Sequence, residues 1–192
     1  QMCIRDSDTI DKFPFSSDAN AADVGNLTQA RRIGGGTSSP THGYTAGGYA
    51  PPGHTNIIDK FPFSVDGNAA DVGDLTVARD RTAGNTSTTH GYVTAGGTFP
   101  PFTVRDEIDK YSIVSDANAT DVGDTTSGHE AHSGQSSTTH GYISGGWAPG
   151  RSNVIEKFPF SSDGNSSDIA DLTEARSNTV SYTHLRAHET RL

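Results

Sequence analysis

The sequence predicts an all-β protein built from a repeated unit of short antiparallel strands, and three observations support this prediction. A Thr-His-Gly-Tyr motif that ends in two glycines occurs three times, at residues 41–48, 89–97 and 139–146. Its histidines, His42, His90 and His140, are 48 and 50 residues apart. A nearly fixed period of this size indicates a repeat architecture. No stretch carries the apolar spacing of an amphipathic helix.

Each unit is predicted to contain four strands. In the unit that begins at Arg79, a small, Thr-rich segment is followed by a turn at residues 89–91 and a second segment that ends at Gly96-Gly97. A variable loop containing Pro100-Pro101 leads to the remaining two segments. The four strands of this unit are predicted at residues 81–88, 92–95, 106–113 and 119–124.

The third segment carries the clearest strand pattern. Ile57, Phe61 and Phe63 recur with a period of two, which places them on one face of a strand. Residues 66–68, Asp-Gly-Asn, then predict a hairpin turn, because Asp and Asn bond their own local backbone and Gly tolerates positive φ. The other copies repeat this turn at residues 18–20, 116–118 and 163–165.

Four short antiparallel strands in each repeat of this length are typical of a β-propeller blade. The units are bounded at residues 8–30, a half-blade, and at residues 31–78, 79–126 and 127–175, three complete blades. Propellers have about 4–8 blades. We therefore expect an incomplete ring of about three and a half repeats, cut from a longer protein.

The order of motifs resembles that of the kelch repeat. Tyr44 to Gly48, Tyr92 to Gly97 and Tyr142 to Gly146 match its diglycine strand, and residues 58–61 match its hydrophobic-acidic-x-aromatic strand. Residues 75–79 match the Leu-to-Arg stretch that opens the next unit. The resemblance covers almost all of residues 8–178 and implies a propeller fold, which by itself names no function.

The chain departs from the kelch pattern at two places. The tryptophan of the fourth kelch strand is replaced by Val24, Val72, Val122 or Ile169. In the third copy, the Leu and Arg of the opening stretch give way to Thr125 and to Gly128-His129. The predicted blades are therefore kelch-like but have few aromatic residues to fill the core between blades.

Both ends of the chain read as translated sequencing adapters. Residues 1–7 back-translate to CAG ATG TGT ATA AGA GAC AG, the end of a transposase adapter used to prepare sequencing libraries. Residues 180–190 back-translate to the reverse complement of that adapter, running on into its partner primer. We assign residues 1–7 and 179–192 as adapter artefacts and leave them out of the fold prediction. The chain is then expected to be a metagenomic fragment.

Composition excludes several function classes. The formal net charge of −9 repels phosphate backbones and anionic lipid, so we expect no nucleic-acid partner. No apolar run approaches the roughly 20 residues of a membrane span. The single cysteine and the single methionine, Cys3 and Met2, lie in the excluded N-terminal segment. We therefore expect no disulfide, zinc site or thiol nucleophile.

Two repeated polar motifs are candidates for chemistry. His42, His90 and His140 could bind metal, but equivalent positions of successive repeats do not converge, so we expect these imidazoles to cap tight turns. The Asp-Gly-Asn turn at residues 66–68, with Asp71 and Asp74, superficially resembles a calcium loop. It lacks the distal glutamate of that motif, so we expect a hairpin turn.

The third copy adds a cluster of its own, His129, Glu130 and His132. Its spacing is not that of a metalloprotease helix, and we interpret it as sequence drift in an exposed loop. Arg31, Arg79 and Arg176 recur at one repeat position and are expected to bond carbonyls or carboxylates between neighbouring blades. We therefore predict no catalytic residue, no cofactor-binding residue and no metal ligand.

The function expected from these features is a non-enzymatic repeat scaffold for structure or for protein or glycan recognition. Partner contact is expected at the variable loops, which contain residues 51–52, 100–101 and 147–149. The acidic, Ser/Thr/Asn-rich composition favours an extracellular or phage-virion surface. The alternatives are the propeller domain of a carbohydrate-active or copper-type oxidase enzyme, which needs convergent ligands at the propeller axis, and an intracellular kelch adaptor.

Overall fold

The computed structural model describes residues 6–178, and this part of the chain contains strands, turns and no helix. The all-β prediction and the four-stranded antiparallel unit are both confirmed. Of the predicted adapter segments, residues 1–7 and 179–192, residues 1–5 and 179–192 lie outside the described residues. The strands in chain order are β1 (Ser7–Lys12), β2 (Ala22–Arg31), β3 (Gly35–Ser38), β4 (His42–Ala46), β5 (Tyr49–Ala50), β6 (Gly53–His54), β7 (Ile57–Pro62), β8 (Ala70–Asp74), β9 (Ala83–Thr86), β10 (His90–Thr98), β11 (Thr103–Ser112), β12 (Thr120–Asp124), β13 (Ser133–Ser136), β14 (His140–Ser144), β15 (Ser152–Pro159) and β16 (Ser167–Arg176).

The strands form three four-stranded antiparallel sheets, each in simple up-and-down order. Sheet I contains β3, β4, β7 and β8, sheet II contains β9 to β12, and sheet III contains β13 to β16. Strands β1 and β2 form a two-stranded pair before sheet I, and β5 and β6 form a small hairpin. The register repeats from sheet to sheet, because Tyr44 lies opposite Lys60, Tyr92 opposite Lys110 and Tyr142 opposite Lys157.

The apolar core lies between successive sheets. Tyr44, Ile58 and Leu75 of the sheet I repeat pack against Val93 and Tyr111 of sheet II. A second cluster joins sheets II and III in the same way and contains Tyr92, Ile108, Ile143 and Phe158. In both clusters the tyrosine of one repeat contacts an aromatic ring of the next, because a Gly on the facing strand leaves room for that ring. Cβ atoms at Gly43, Gly91 and Gly141 would lie 2.4, 2.5 and 2.2 Å from the third-strand aromatic ring.

We use the word joint for the contact between the third and fourth strands of one repeat and the third strand and turn of the next. At the first joint, Lys12 bonds Asp66 of the sheet I turn at 2.7 Å, and the amide of Asn26 donates to Asn68 Oδ1 at 3.0 Å. At the second joint, Lys60 bonds Asp116 at 2.8 Å, and the amide of Asp74 donates to Asn118 Oδ1. Lys110, Asp163, Asp124 and Asn165 repeat this arrangement at the third joint.

A buried carboxylate completes each joint. Asp109 accepts hydrogen bonds from the amide and hydroxyl of Thr76 at 3.0 and 2.6 Å, and it pairs with Arg79 at 2.9 Å. Asp59 accepts the same three kinds of bond from Thr28 and Arg31. The acidic residue predicted on the third strand therefore holds the preceding repeat in place.

The first strand begins within the segment that the sequence assigns to the N-terminal adapter. Ser7 is the first residue of β1 and lies opposite Arg31. Asp6 Oδ1 accepts a hydrogen bond from Arg32 Nη1 at 2.6 Å. Residues 6 and 7 thus pack with the sheets. In residues 6–178 there is no helix of the length and apolarity that a membrane span requires.

Candidate binding surface

The loops at one end of the sheets form the candidate site. In each up-and-down sheet, the connection from the second to the third strand and the connection into the next sheet leave from the same end. The structure pairs these two kinds of loop by isolated β-bridges between Arg32 and Tyr49, Asp80 and Gly97, and Glu130 and Trp147. We call this surface the loop face, and it includes residues 31–34, 49–54, 79–82, 97–103, 129–132 and 147–151. It contains the three variable loops singled out in the sequence.

A cleft of about 700 Å³ lies on the loop face between the first two full repeats. Its walls combine aromatic rings, charged groups and the exposed side chain of Ile33. The exposed fractions of Phe99 and Phe102 are 63% and 44%, so both rings are open to a ligand. The residues that line the cleft are Arg32, Ile33, Tyr49, His54, Asp80, Arg81, Thr98, Phe99 and Phe102.

One wall of the cleft is held by Tyr49. The Arg32 guanidinium carbon lies 4.6 Å from the centroid of the Tyr49 ring, within cation–π distance. The His54 imidazole meets the same ring edge-on, with centroids 5.5 Å apart. Arg32 is also paired with Asp6, so its charge is balanced at this wall. Tyr49 is therefore fixed in orientation by its two neighbours.

Asp80 lies at the floor of this cleft and is 4% exposed. Its Oδ2 is 3.6 Å from His54 Nε2. Burial raises the pKa of the Asp80 carboxyl, and the nearby Glu130 adds to this effect while Arg81 and His54 oppose it. The two oxygens of the Asp80 carboxylate are hydrogen-bond acceptors, which suits recognition of ligand hydroxyls.

A second cleft of about 430 Å³ adjoins the first and shares Arg81 and Phe102 with it. Phe102 meets Trp147 edge-on, with ring centroids 5.5 Å apart. Arg81 Nη1 lies 3.0 Å from Glu130 Oε2 at the boundary. The second cleft is lined by Arg81, Phe102, Glu130, Ala131, Trp147, Ser177 and Asn178. The two clefts form one continuous polar and aromatic surface.

The backbone beneath this surface is strained at one position of each repeat. Ile33, Arg81, Ala131 and Asn178 have φ values of 52°, 52°, 55° and 53°, a region that residues other than glycine rarely adopt. The amides of Arg81, Ala131 and Asn178 each bond the carbonyl of the equivalent residue in the preceding repeat. The Arg81 amide donates to Ile33 O at 2.8 Å, and the Ala131 amide donates to Arg81 O at 2.9 Å. These bonds fix the direction in which Arg81 enters the surface, and strain of this kind is common at binding sites.

The variable loops were predicted from the sequence, but the charged residues that face them were not. A signal was present in the repeat itself. In the first three copies, the residue after the repeat arginine, or after the histidine that replaces it, is Arg32, Asp80 or Glu130. Charged residues of both signs at one otherwise regular repeat position indicate that this position makes a different surface contact in each repeat. The structure places all three beside the variable loops.

The three motif histidines lie at the opposite end of the sheets, in the turns between first and second strands. His42 Nδ1 bonds Thr41 Oγ1 at 2.9 Å, and the other two copies repeat this contact. The turn itself is closed by a serine, because Ser39 Oγ accepts from the His42 amide at 3.0 Å. Each imidazole therefore bonds the threonine next to it. In the described part of the chain, no three His, Cys, Asp or Glu side chains are grouped as metal ligands.

The interpretation of His129, Glu130 and His132 as an exposed loop is wrong. Their exposed fractions are 3%, 8% and 6%. The reason is that His129 occupies the repeat position of Arg79, which faces the neighbouring sheet. His129 Nδ1 lies 2.7 Å from the Ser127 carbonyl oxygen, and His132 Nε2 lies 3.0 Å from Thr94 Oγ1. Burial lowers the pKa of His132 well below its usual value, and the charges of His129 and Arg79 lower it further.

The calcium-like residues are used within the joints. Asp66 bonds Lys12, and Asn68 accepts from the Asn26 amide. Asp71 Oδ1 accepts from the amide of Gly73 at 3.1 Å, which is a local turn contact. The oxygens of Asp66 and Asn68 thus serve the contact between repeats, and that of Asp71 serves its own turn.

The carbonyl and carboxylate partners predicted for the repeat arginines are found at two positions, but these partners lie in the same predicted blade as the arginine and not in a neighbouring one. Arg79 donates from Nε to Ala95 O at 2.8 Å and pairs with Asp109. Arg31 donates to Thr45 O at 3.0 Å. The prediction is wrong for Arg176, which is exposed and contacts Glu174 of its own strand.

No protein-family model matches this sequence, and no curated protein matches it.

Proposed function

We propose that the chain is an arc of a β-propeller made of kelch-like repeats and that its loop face binds a glycan. Two features support the propeller arrangement. Successive sheets pack face to face through the joints, and their first strands lie side by side. Asn85 of β9 donates to Gln135 O of β13 at 2.5 Å, and Thr37 of β3 bonds Tyr111 of sheet II. Repeated sheets that meet along their first strands are the arrangement of propeller blades.

The binding proposal rests on two adjoining clefts that share Arg81 and Phe102. A sugar ring has an apolar C–H face and a rim of hydroxyls. Phe102, Phe99 and Trp147 offer rings to that face, and Asp80 and Arg81 offer groups to the hydroxyls. Two arginines that line the clefts are each paired with a carboxylate, Arg81 with Glu130 and Arg32 with Asp6. The surface therefore suits a neutral glycan better than a charged one.

The proposed role is recognition and not catalysis. The carboxylates that could serve as acid and base, Asp80 and Glu130, are engaged by His54 and Arg81. The motif histidines lie at the other end of the sheets, each bonded to the adjacent threonine. Binding through loops on a rigid repeat scaffold is a common use of such folds.

An array of neutral and charged glycans, probed with the full chain, tests the proposal. We expect binding to neutral glycans, and we expect Tyr49→Ala and Phe102→Ala each to weaken it. Phe15→Ala is the control, because Phe15 is 96% exposed and lies outside both clefts. Failure of the chain to bind any glycan would falsify the glycan proposal, as would binding that neither cleft variant changes.

A further inference from the structure

The joints within the chain obey a common set of contacts. A lysine of one repeat bonds the turn aspartate of the next, a backbone amide bonds the turn asparagine, and a threonine bonds the third-strand carboxylate. The three joints use Lys12, Lys60 and Lys110 as the lysine. Their carboxylates are Asp59, Asp109 and Glu156. Each joint is made by two faces, one from each repeat. The donor face carries the lysine, the backbone amide and the threonine, and the acceptor face carries the turn aspartate, the turn asparagine and the third-strand carboxylate.

Sheet III presents a donor face that no part of residues 6–178 covers. Ile169 is 45% exposed, although its equivalents Val72 and Val122 pack into the cores. The Arg176 side chain is 48% exposed, whereas its equivalent Arg79 is completely buried. Lys157, Leu172 and Thr173 complete this face at the positions that make the joints elsewhere in the chain.

The β1–β2 pair presents the matching acceptor face, and it is equally bare. Asp11 and Phe13 hold the repeat positions of Asp109 and Tyr111. Phe13 is 56% exposed and Asp11 is exposed, whereas Tyr111 and Asp109 are 2% and 0% exposed. The turn residues Asp18 and Asn20 are also exposed and hold the positions of the joint aspartate and asparagine.

We propose that the chain associates head to tail, with sheet III of one copy packed on the β1–β2 pair of a second copy. The contacts follow from those inside the chain. Arg176 of one copy pairs with Asp11 of the other, and Lys157 pairs with Asp18. Tyr142 packs against Phe13, as Tyr92 packs against Phe158 at a ring distance of 5.4 Å. Such a contact is heterologous, so it builds a ring or an open chain of copies.

One substitution weakens this joint relative to those inside the chain. The fourth strand carries Gly25, Gly73 or Gly123 where it meets the next turn, and a Cβ there would lie 2.2, 2.5 or 2.4 Å from a turn backbone atom. Sheet III has Ala170 at this position. Its methyl group holds the incoming turn away, so the association is reversible and weaker than the joints within the chain.

Sedimentation velocity over the micromolar range tests the proposal with the full chain. The sedimentation coefficient is expected to rise with concentration. Arg176→Asp and Asp11→Arg should each weaken association roughly 30-fold or more, because each places like charges together. An equimolar mixture of the two variants should recover it, because every joint in the mixture can again pair opposite charges. Ala170→Gly should strengthen association about fivefold.

Arg151→Asp is the matched control, since it makes the same charge change on an exposed residue away from the proposed contact. Circular dichroism of every variant checks that the strands are intact. A chain that stays monomeric throughout overturns the proposal. Loss of association in Arg176→Asp but not in Asp11→Arg overturns it too, because that pattern indicates a symmetric contact between two copies of sheet III.

Discussion

Arg79 and Asp109 form an ion pair of 2.9 Å in which both side chains are completely removed from solvent. Arg79 also donates to the carbonyls of Ala95 and Val93, and Asp109 accepts from Thr76. Burial lowers the pKa of the arginine, and the attraction of Asp109 opposes this shift. The pair lies where one repeat ends and the next begins, so it fixes the placement of sheet II relative to the strand that precedes it.

Asp109→Ala is expected to lower the free energy of unfolding by about 3–5 kcal/mol, because it leaves the Arg79 guanidinium buried without its carboxylate. Chemical denaturation followed by circular dichroism measures this loss. The matched control is Asp116→Ala, which removes the exposed pair with Lys60 and should cost less than about 1 kcal/mol. Equal losses in the two variants would show that the buried pair has no special part in the joint.

Gly73→Ala is expected to destabilise the chain by about 1–3 kcal/mol through overpacking, because its Cβ would lie 2.5 Å from the Ala117 carbonyl oxygen. Gly36→Ala is the control, since a Cβ at Gly36 meets nothing within 4 Å. Thermal unfolding of both variants checks the expectation. A Gly73→Ala variant as stable as Gly36→Ala would mean that the turn of the next repeat moves freely away from the strand.

The repeat made most of the fold predictable from the sequence. A strand pattern seen once is weak, but Phe61, Tyr111 and Phe158 at the same phase of successive copies specify one face of the third strand. The turn at residues 66–68 and its copies then fix where the fourth strand begins. Sheet content and strand order depend on this local periodicity, which is why they could be predicted without a structure.

The side-chain contacts of the loop face and the burial of the third-copy cluster depend on residues that the fold brings together from different strands and loops. Glu130 and Trp147 are brought together by a bridge between loops that are far apart in the sequence. His129 is buried because it takes the position of an arginine that faces the next sheet, and a histidine gives no sign of this by itself. Long-range placement, rather than residue type, separated the correct predictions from the wrong ones.

The stability of the chain is expected to fall as the pH decreases below about 6.5 because His132 is buried in its neutral form. Its folded-state pKa is lowered, so the unfolded chain binds a proton that the folded chain does not. One such proton costs up to about 2 kcal/mol between pH 6.5 and pH 5. Chemical denaturation at pH 8 and pH 5 measures the difference between wild type and His132→Gln. The proposed origin is wrong if the variant keeps the full pH dependence.

Phe102→Ala is expected to weaken binding of a glycan identified on the array about tenfold, because Phe102 lines both clefts. The melting temperature should stay unchanged, because Phe102 is 44% exposed. Isothermal titration calorimetry gives the affinity, and Val65→Ala, at an exposed position outside the clefts, is the control for loss of apolar surface. A drop in melting temperature equal to that of a core variant would assign Phe102 to folding instead of binding.

Arg81 allows its side chain and its backbone to be tested separately. The residue has a φ of 52°, which glycine adopts without penalty and alanine does not. Arg81→Ala and Arg81→Gly should therefore weaken glycan binding equally, because both remove the guanidinium that lies between Glu130 and the shared wall of the clefts. Arg81→Gly should nevertheless be about 1 kcal/mol more stable than Arg81→Ala. Calorimetry measures the glycan affinity of both variants, and chemical denaturation measures their stability. If the less stable variant also binds more weakly, Arg81 supports glycan binding through its backbone conformation and not through its guanidinium.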